Sequence, residues 1–374
     1  MEKELYIKYV KDYIHLIALY LNKKEADIDV DDSELGFFYK LSSHHSLRAF
    51  FYKVIIDTKL KVDPQKLKKF EEIYMMNIRK AILYDNERKI LFDFLDENKI
   101  HYLPLKGIVI KELYPDKYSR EFADNDILFA SNDKDIKKFF VNRGYKVEDF
   151  RRSNHDVYMK EPSYNFEMHR DLFADREDNA LSVAYFKNYI NKAPLKERYE
   201  HYLKDEDFYL YFTAHTYKHF HVSGCGIRTL IDYYLFLRSK TLDWDYIEKE
   251  LKKLDLVDFS NQITSLSTKI FNDEELNKTE EETLLFIVSS GTYGLLENAV
   301  NKGVKEKGKF RYLMSRVFPP LEFYRGAYSW AYKHKILIPV AWLVRLFRIL
   351  FKSNKQARDE LKAIKNSKSN KEEN

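Results

Sequence analysis

Apolar residues recur every three or four positions in LYIKYVKDYIHLIALYL (residues 5–21) and again from Pro64 to Asn98. That spacing predicts helices over both stretches, with Pro64 suited to a first-turn position. Residues 1–99 therefore read as an N-terminal helical region. The pattern changes at IHYLPLKGIVI (100–110), where a short extended segment meets Lys106-Gly107. A helix over 108–114 follows, ended by Pro115. DILFA (126–130) reads as a strand, and NDKDIKKFFVNRGY (132–145) as a helix with an Asn or Asp cap, closed by Gly144 in the left-handed region. YKVEDF (145–150) is a second strand. DVYMK and YNFEMHRDL flank the turn EPS and predict a hairpin.

Helical spacing returns after residue 178, in EDFYLYFTAHTYKHF, RTLIDYYLFLRSK and DWDYIEKELKKL. The expected organisation is an N-terminal helical region (1–99), a small α/β module (100–177), a C-terminal helical region (178–352) and a charged, disordered tail (353–374). Strands grouped in one segment between helical flanks define an α+β fold with a small mixed sheet.

Composition narrows this picture. A chain of 374 residues with 45% hydrophobic and 16% aromatic residues has enough apolar surface to fold. A net charge of +5, from 64 basic and 59 acidic residues, gives no support to a dedicated nucleic-acid binder. Cys225 is the single cysteine, which excludes an internal disulfide or a thiolate cluster. With an N-terminus that lacks a signal-peptide core, this points to the cytoplasm. The apolar run ILIPVAWLV (336–344) is too short to span a bilayer. Over 335–351 it reads as a core helix, with contact at a membrane surface through Arg345 and Arg348 as the alternative.

Candidate chemistry lies in REFADNDILF (120–129). Asp124 and Asp126 stand two apart on an extended segment, so their side chains project on one side. Two carboxylates this close repel unless a cation joins them, and Mg²⁺ takes hard oxygen ligands of this kind. Glu167 in YNFEMHRDL is the best third carboxylate, on a strand of the same module. Three such groups could hold two metals on either side of a phosphoryl group. An Asp-x-Asp pair alone fits a capped, solvated strand start better than a metal site, so its neighbours decide its weight.

Those neighbours carry a resemblance. LPLKGIVIKELYPDKYSREFADNDILF, then a helix, a Gly-Tyr and FEMHRDL, resembles an uncharacterised bacterial nucleotidyltransferase family with a polymerase-like fold. The matching positions are Lys106, Gly107, Tyr114, Pro115, Arg120, Asp124, Asp126, Glu167 and His169. The resemblance continues more loosely through His215, His219, Arg228 and Asp232. It implies a metal-dependent enzyme that moves a nucleoside monophosphate from an NTP to a hydroxyl or phosphate and releases pyrophosphate. Mg²⁺ or Mn²⁺ would be the cofactor and ATP the foremost co-substrate. The acceptor stays open among small molecules, glycans, peptides or proteins, and tRNA.

Under that resemblance Asp124, Asp126 and Glu167 are the catalytic metal ligands. Lys106, Arg120 and the backbone at Gly107 meet the triphosphate, and His169 touches substrate or orients Glu167. No Walker-type or Gly-x-Gly-x-x-Gly loop competes. One position departs from the pattern: the residue between the aspartates is Asn125 where an apolar one is expected, and a buried amide needs partners. A catalytically inactive nucleotide- or partner-binding copy is therefore the first rival reading. The second is a metallohydrolase built on His215, His219 and His221. Arg228 and Asp232 are spaced as an ion pair within one helix.

Overall fold

Asp63 opens the longest helix of the chain by accepting the backbone N–H groups of Gln65 and Lys66, with Pro64 at the first helical position. The computed structural model to which this belongs describes residues 2–174, 179–292 and 334–351, with isolated positions between 300 and 332 and at 363. Helices α1 (Lys3–Leu21), α2 (Asp32–His44), α3 (Arg48–Asp57) and α4 (Pro64–Glu97) make up the N-terminal region. The first three and the start of α4 bury Tyr13, Phe38, Phe50, Phe51 and Phe70 together. Tyr13 stacks on Phe51 with ring centroids 4.7 Å apart. Each such aromatic, fully removed from water, contributes about 1.5–3 kcal/mol before conformational entropy is counted. The far end of α4 belongs to a second core, where Leu91 and Leu95 meet the sheet.

The sheet has seven strands in the order β3-β4-β5-β2-β1-β7-β6. They are β1 (Tyr102–Pro104), β2 (Asn125–Phe129), β3 (Lys146–Asp149), β4 (His155–Lys160), β5 (Tyr164–His169), β6 (Leu195–Glu197) and β7 (Glu200–His201). β2 runs parallel to β5 and antiparallel to β1, while β4 and β5 form the expected hairpin. Side chains alternate across each strand, so Ile127, Phe129, Tyr158, Phe166 and Met168 point to one face. There they pack with Leu91 and Leu95 of α4 and with Ile136 and Phe140 of α6 (Asp133–Asn142).

Three local expectations change. The helix expected over 108–114 is a four-residue α5 (Gly107–Ile110) continued by the 3-10 turn Lys111–Leu113. The N-cap of α6 is Asn132, but it sits in the left-handed region at φ 67° and makes no side-chain cap bond. Gly144 closes α6 with φ 79°, as its sequence position requires. β6 and β7 lie in a stretch read as helical. They are too short and too polar to show strand alternation, and tertiary pairing makes them strands. Tyr102 donates its N–H to the Tyr199 carbonyl at 3.0 Å and extends the sheet to residues 195–201.

The C-terminal half is helical: α7 (Ala180–Tyr185), α8 (Asp205–Val222), α9 (Ile227–Ser239), α10 (Trp244–Leu254), α11 (Val257–Asn272) and α12 (Lys278–Ser290). α10 shows the period plainly, burying Ile247, Leu251 and Leu254 with lysines between them. A further helix spans Ile338–Phe351, where Ala341 is buried and Leu343 exposed. Among the described residues no helix is long and apolar enough to cross a membrane. The tail expected over 353–374 lies outside the described residues apart from Ala363.

Candidate active site

The register of the sheet decides which side chains meet. Asp126 pairs with Glu167 across β2 and β5, and His155 pairs with His169 across β4 and β5. Directly opposed residues share a face, as do residues two apart on one strand. Asp126, Glu167, His169 and His155 therefore stand together on the face opposite the Ile127 and Phe166 core. Asp124, one residue before β2, joins them. This face forms the wall of a cleft of about 420 Å³, closed from the other side by α8 and the start of α9. Lys106, Gly107, Arg120, His215, Lys218, His219 and Arg228 also line it.

Lys106 Nζ donates to Asp126 Oδ1 at 2.9 Å, and His169 Nε2 lies 2.8 Å from the same oxygen. A carboxylate only accepts, so His169 donates its Nε2–H. Burial disfavours the Asp126 charge, but Lys106 and His169 outweigh it and hold the carboxyl well below the usual range. Lys106 answers in kind: burial works against its charge, and Asp126 raises its pKa. Asp124 moves the other way, raised by burial and by the Asp126 charge. Glu167 is pushed up to about 7 by burial and by both aspartates. Lys106 balances one of three carboxylates, so with all three ionised the cluster would be two charges short. Carboxylate oxygens are the donor type that Mg²⁺ or Mn²⁺ takes, so a divalent cation here would supply that charge.

Lys106 itself adopts φ 44° and ψ −116°, a conformation in which glycine is at ease and a lysine is strained by about 1–3 kcal/mol. The sequence places a glycine next door, and its purpose is different. A Cβ on Gly107 would lie 2.9 Å from Arg120 Nη1, so the missing side chain makes room for a guanidinium. Gly107 also lines the cleft, at the start of the four-residue α5.

Arg120 lines the cleft, yet its Nε and Nη2 donate to Asp232 Oδ1 and Oδ2 at 2.9 and 2.7 Å. Both groups are buried, and Tyr114 adds its hydroxyl to Asp232 at 2.7 Å. This bidentate pair bolts α9 to the loop before β2. It also replaces the Arg228–Asp232 pair expected within α9. Arg228 Nη1 instead donates to the Glu121 carbonyl at 2.8 Å. A fork reaching a buried carboxylate in two places outcompetes a single contact along one helix.

Asn125 faces the core, 1% exposed, and half of its amide is paired: Arg88 Nη1 donates to its Oδ1 at 2.7 Å, while Nδ2 is buried with no partner among the described residues. His215 and His219 face the cleft from α8 with Nε2 atoms 3.3 Å apart. Burial holds His215 neutral, its pKa well below the ordinary value. Among the described residues the one His/Asp/Glu cluster of metal-binding geometry is His155, Glu167 and His169, so the histidine-built metallohydrolase loses its third ligand on α8. His155 is the residue sequence reasoning missed. It belongs to no motif, and only the β4–β5 register brings it to the site.

Mixed sheet, helical flanks and a cleft lined by carboxylates, histidines and Lys106 define the class as an α+β protein with a charged cleft on one face of its sheet. A family model described as "Uncharacterised nucleotidyltransferase" matches residues 31–272, from the cap of α2 through α11, and the chain belongs to that family. No curated protein and no solved structure matches the chain.

Proposed function

We propose that this protein transfers a nucleoside monophosphate from an NTP to a hydroxyl or phosphate of an acceptor and releases pyrophosphate. The observation that carries the reading is the Asp126–Glu167 pairing on adjoining parallel strands beside Lys106. Asp124, Asp126 and Glu167 would hold a divalent cation, Mg²⁺ or Mn²⁺, which when bound neutralises phosphate charge and polarises the reacting oxygens. The rest is work for the chain's own groups.

Lys106 binds the triphosphate as its ammonium turns from Asp126 to a phosphate oxygen. The acceptor oxygen forms a bond to the α-phosphorus while the bond to the bridging oxygen breaks, and the electron pair leaves on pyrophosphate. Glu167 takes the acceptor proton. A carboxyl near 7 is suited to this at neutral pH, since about half of it is ionised and the ionised form is still basic. His169 holds Asp126 in place by its 2.8 Å contact. Arg120 positions the wall through Asp232 rather than meeting phosphate through those nitrogens. ATP is the first NTP to test. His215, Lys218 and His219 supply the remaining polar surface for base and acceptor.

A second reading, binding of nucleotide or a partner without transfer, draws on the same Lys106–Asp126 contact, which satisfies both charges with no ligand present. Incubation with α-labelled NTPs, Mg²⁺ or Mn²⁺ and a panel of glycan, peptide and tRNA acceptors separates the two. Labelled acceptor with pyrophosphate release, lost in Glu167→Gln, supports transfer. Nucleotide binding with no pyrophosphate release across the panel supports the second reading.

A further inference from the structure

The carboxylates are not the whole donor set of this cleft. The Asn154 amide donates Nδ2–H to the Asp171 carbonyl at 2.9 Å, which turns its Oδ1 towards His155 Nδ1 at 3.2 Å. An amide oxygen only accepts, so His155 carries its proton on Nδ1. Its Nε2 is then a bare lone pair, and it faces Glu167 Oε2 at 3.7 Å. With Glu167 ionised both atoms are acceptors, and at this distance no hydrogen bond joins them. His169 Nε2 lies 3.8 Å from the same Glu167 oxygen, and the His155 and His169 rings are 4.9 Å apart. Ligand atoms of all three residues fall within 4.8 Å of one another.

We propose that His155, Glu167 and His169 form a nitrogen–oxygen site for a divalent transition metal, Mn²⁺, Co²⁺ or Zn²⁺, beside the all-oxygen position of Asp124 and Asp126. The proposal rests on the reading of the cleft given above, because Glu167 serves both positions. Two imidazoles and a carboxylate prefer these ions to Mg²⁺, which takes oxygen and keeps its water. A metal held at about 2.0–2.1 Å sets neighbouring tetrahedral ligands roughly 3.3 Å apart, so the observed separations close by small rotations. Metal entry at His169 Nε2 moves that proton to Nδ1, which is buried with no hydrogen-bond partner among the described residues, and breaks the contact with Asp126. Asn154 is the positioning residue, since it fixes the His155 tautomer that leaves a lone pair free.

The test uses the full chain, stripped with chelator and free of nucleotide. Co²⁺ is titrated by visible absorption, and Mg²⁺ by calorimetry. His155→Ala is expected to weaken Co²⁺ at least tenfold and to change its spectrum, while Asp124→Asn has the larger effect on Mg²⁺. Asn154→Leu weakens Co²⁺ by roughly 10–100-fold if outer partners matter here as elsewhere. Unchanged Co²⁺ affinity and spectrum in a folded His155→Ala overturns the proposal. Should that variant not fold, proton NMR of the wild-type Co²⁺ protein decides: paramagnetically shifted imidazole N–H signals from two histidines support it, and their absence overturns it. Nucleotidyl transfer with Mg²⁺ and no Co²⁺ signature sinks this inference alone. A Co²⁺ signature with no transfer sinks the functional reading alone.

Discussion

Asn125→Val restores the apolar residue that the family pattern expects between the aspartates, and it should destabilise this protein. Asn125 Oδ1 accepts from Arg88 Nη1 at 2.7 Å, and both residues are buried, at 1% and 9% exposure. Arg88 also pairs with Asp85, which Lys111 Nζ reaches at 2.5 Å. Removing the amide strands one guanidinium N–H in the core, a loss of about 2–3 kcal/mol for a charged donor. It also removes Asn125 Nδ2, which is buried with no partner, and that returns about 1 kcal/mol. The net cost is about 1–2 kcal/mol. Arg88→Met alone leaves the whole amide unpaired and costs about 2–4 kcal/mol. The double variant removes both halves, and Asp85 keeps Lys111, so it should lie within about 1 kcal/mol of wild type. Urea unfolding of the four proteins gives the coupling energy. A coupling below about 0.5 kcal/mol, with additive single losses, would refute the account of Asn125 as half of a buried pair.

Gly107→Ala places a methyl 2.9 Å from a guanidinium pinned by Asp232, and a loss of about 1–3 kcal/mol is expected in thermal melts. An unchanged midpoint would show that Arg120 has slack. His45 accepts from the Ile227 N–H through Nδ1 and donates to the Val288 carbonyl, and burial lowers its pKa from 6.5 to about 3. The unfolded chain thus binds the proton more readily between those values. Stability is full above 6.5 and falls by about 1.4 kcal/mol for each pH unit below it, until the folded pKa is reached. His45→Gln should flatten that slope in urea unfolding across the same range, and equal slopes would refute the assignment. Glu167, raised to about 7, must lose its proton to hold a cation. Apparent Mn²⁺ affinity should therefore fall as pH drops below that value, with proton uptake by the buffer in calorimetry. A flat profile would remove Glu167 from the ligand set.

Periodicity made much of this fold legible. The α4, α8, α9 and α10 patterns and the β4–β5 hairpin follow from local spacing, and so does the shared face of Asp124 and Asp126. What stayed hidden depends on contacts far apart in the chain. Arg120 and Asp232 are 112 positions apart, so nothing local to α9 shows that Asp232 turns from Arg228 to Arg120. His155 reaches the site only because the β4–β5 register sets it opposite His169. β7 exists because β1 offers it an edge. The positive φ of Lys106 has no local signal in the sequence, because a lysine rarely adopts it.

Calorimetric titration of a non-hydrolysable ATP analogue with Mn²⁺ into wild type, Asp126→Asn and Glu167→Gln tests the shared carboxylate site without needing the acceptor. Metal-dependent binding in wild type, weakened at least tenfold in each variant while its fold is retained, is the predicted result. Equal binding in all three, or binding indifferent to Mn²⁺, would contradict it.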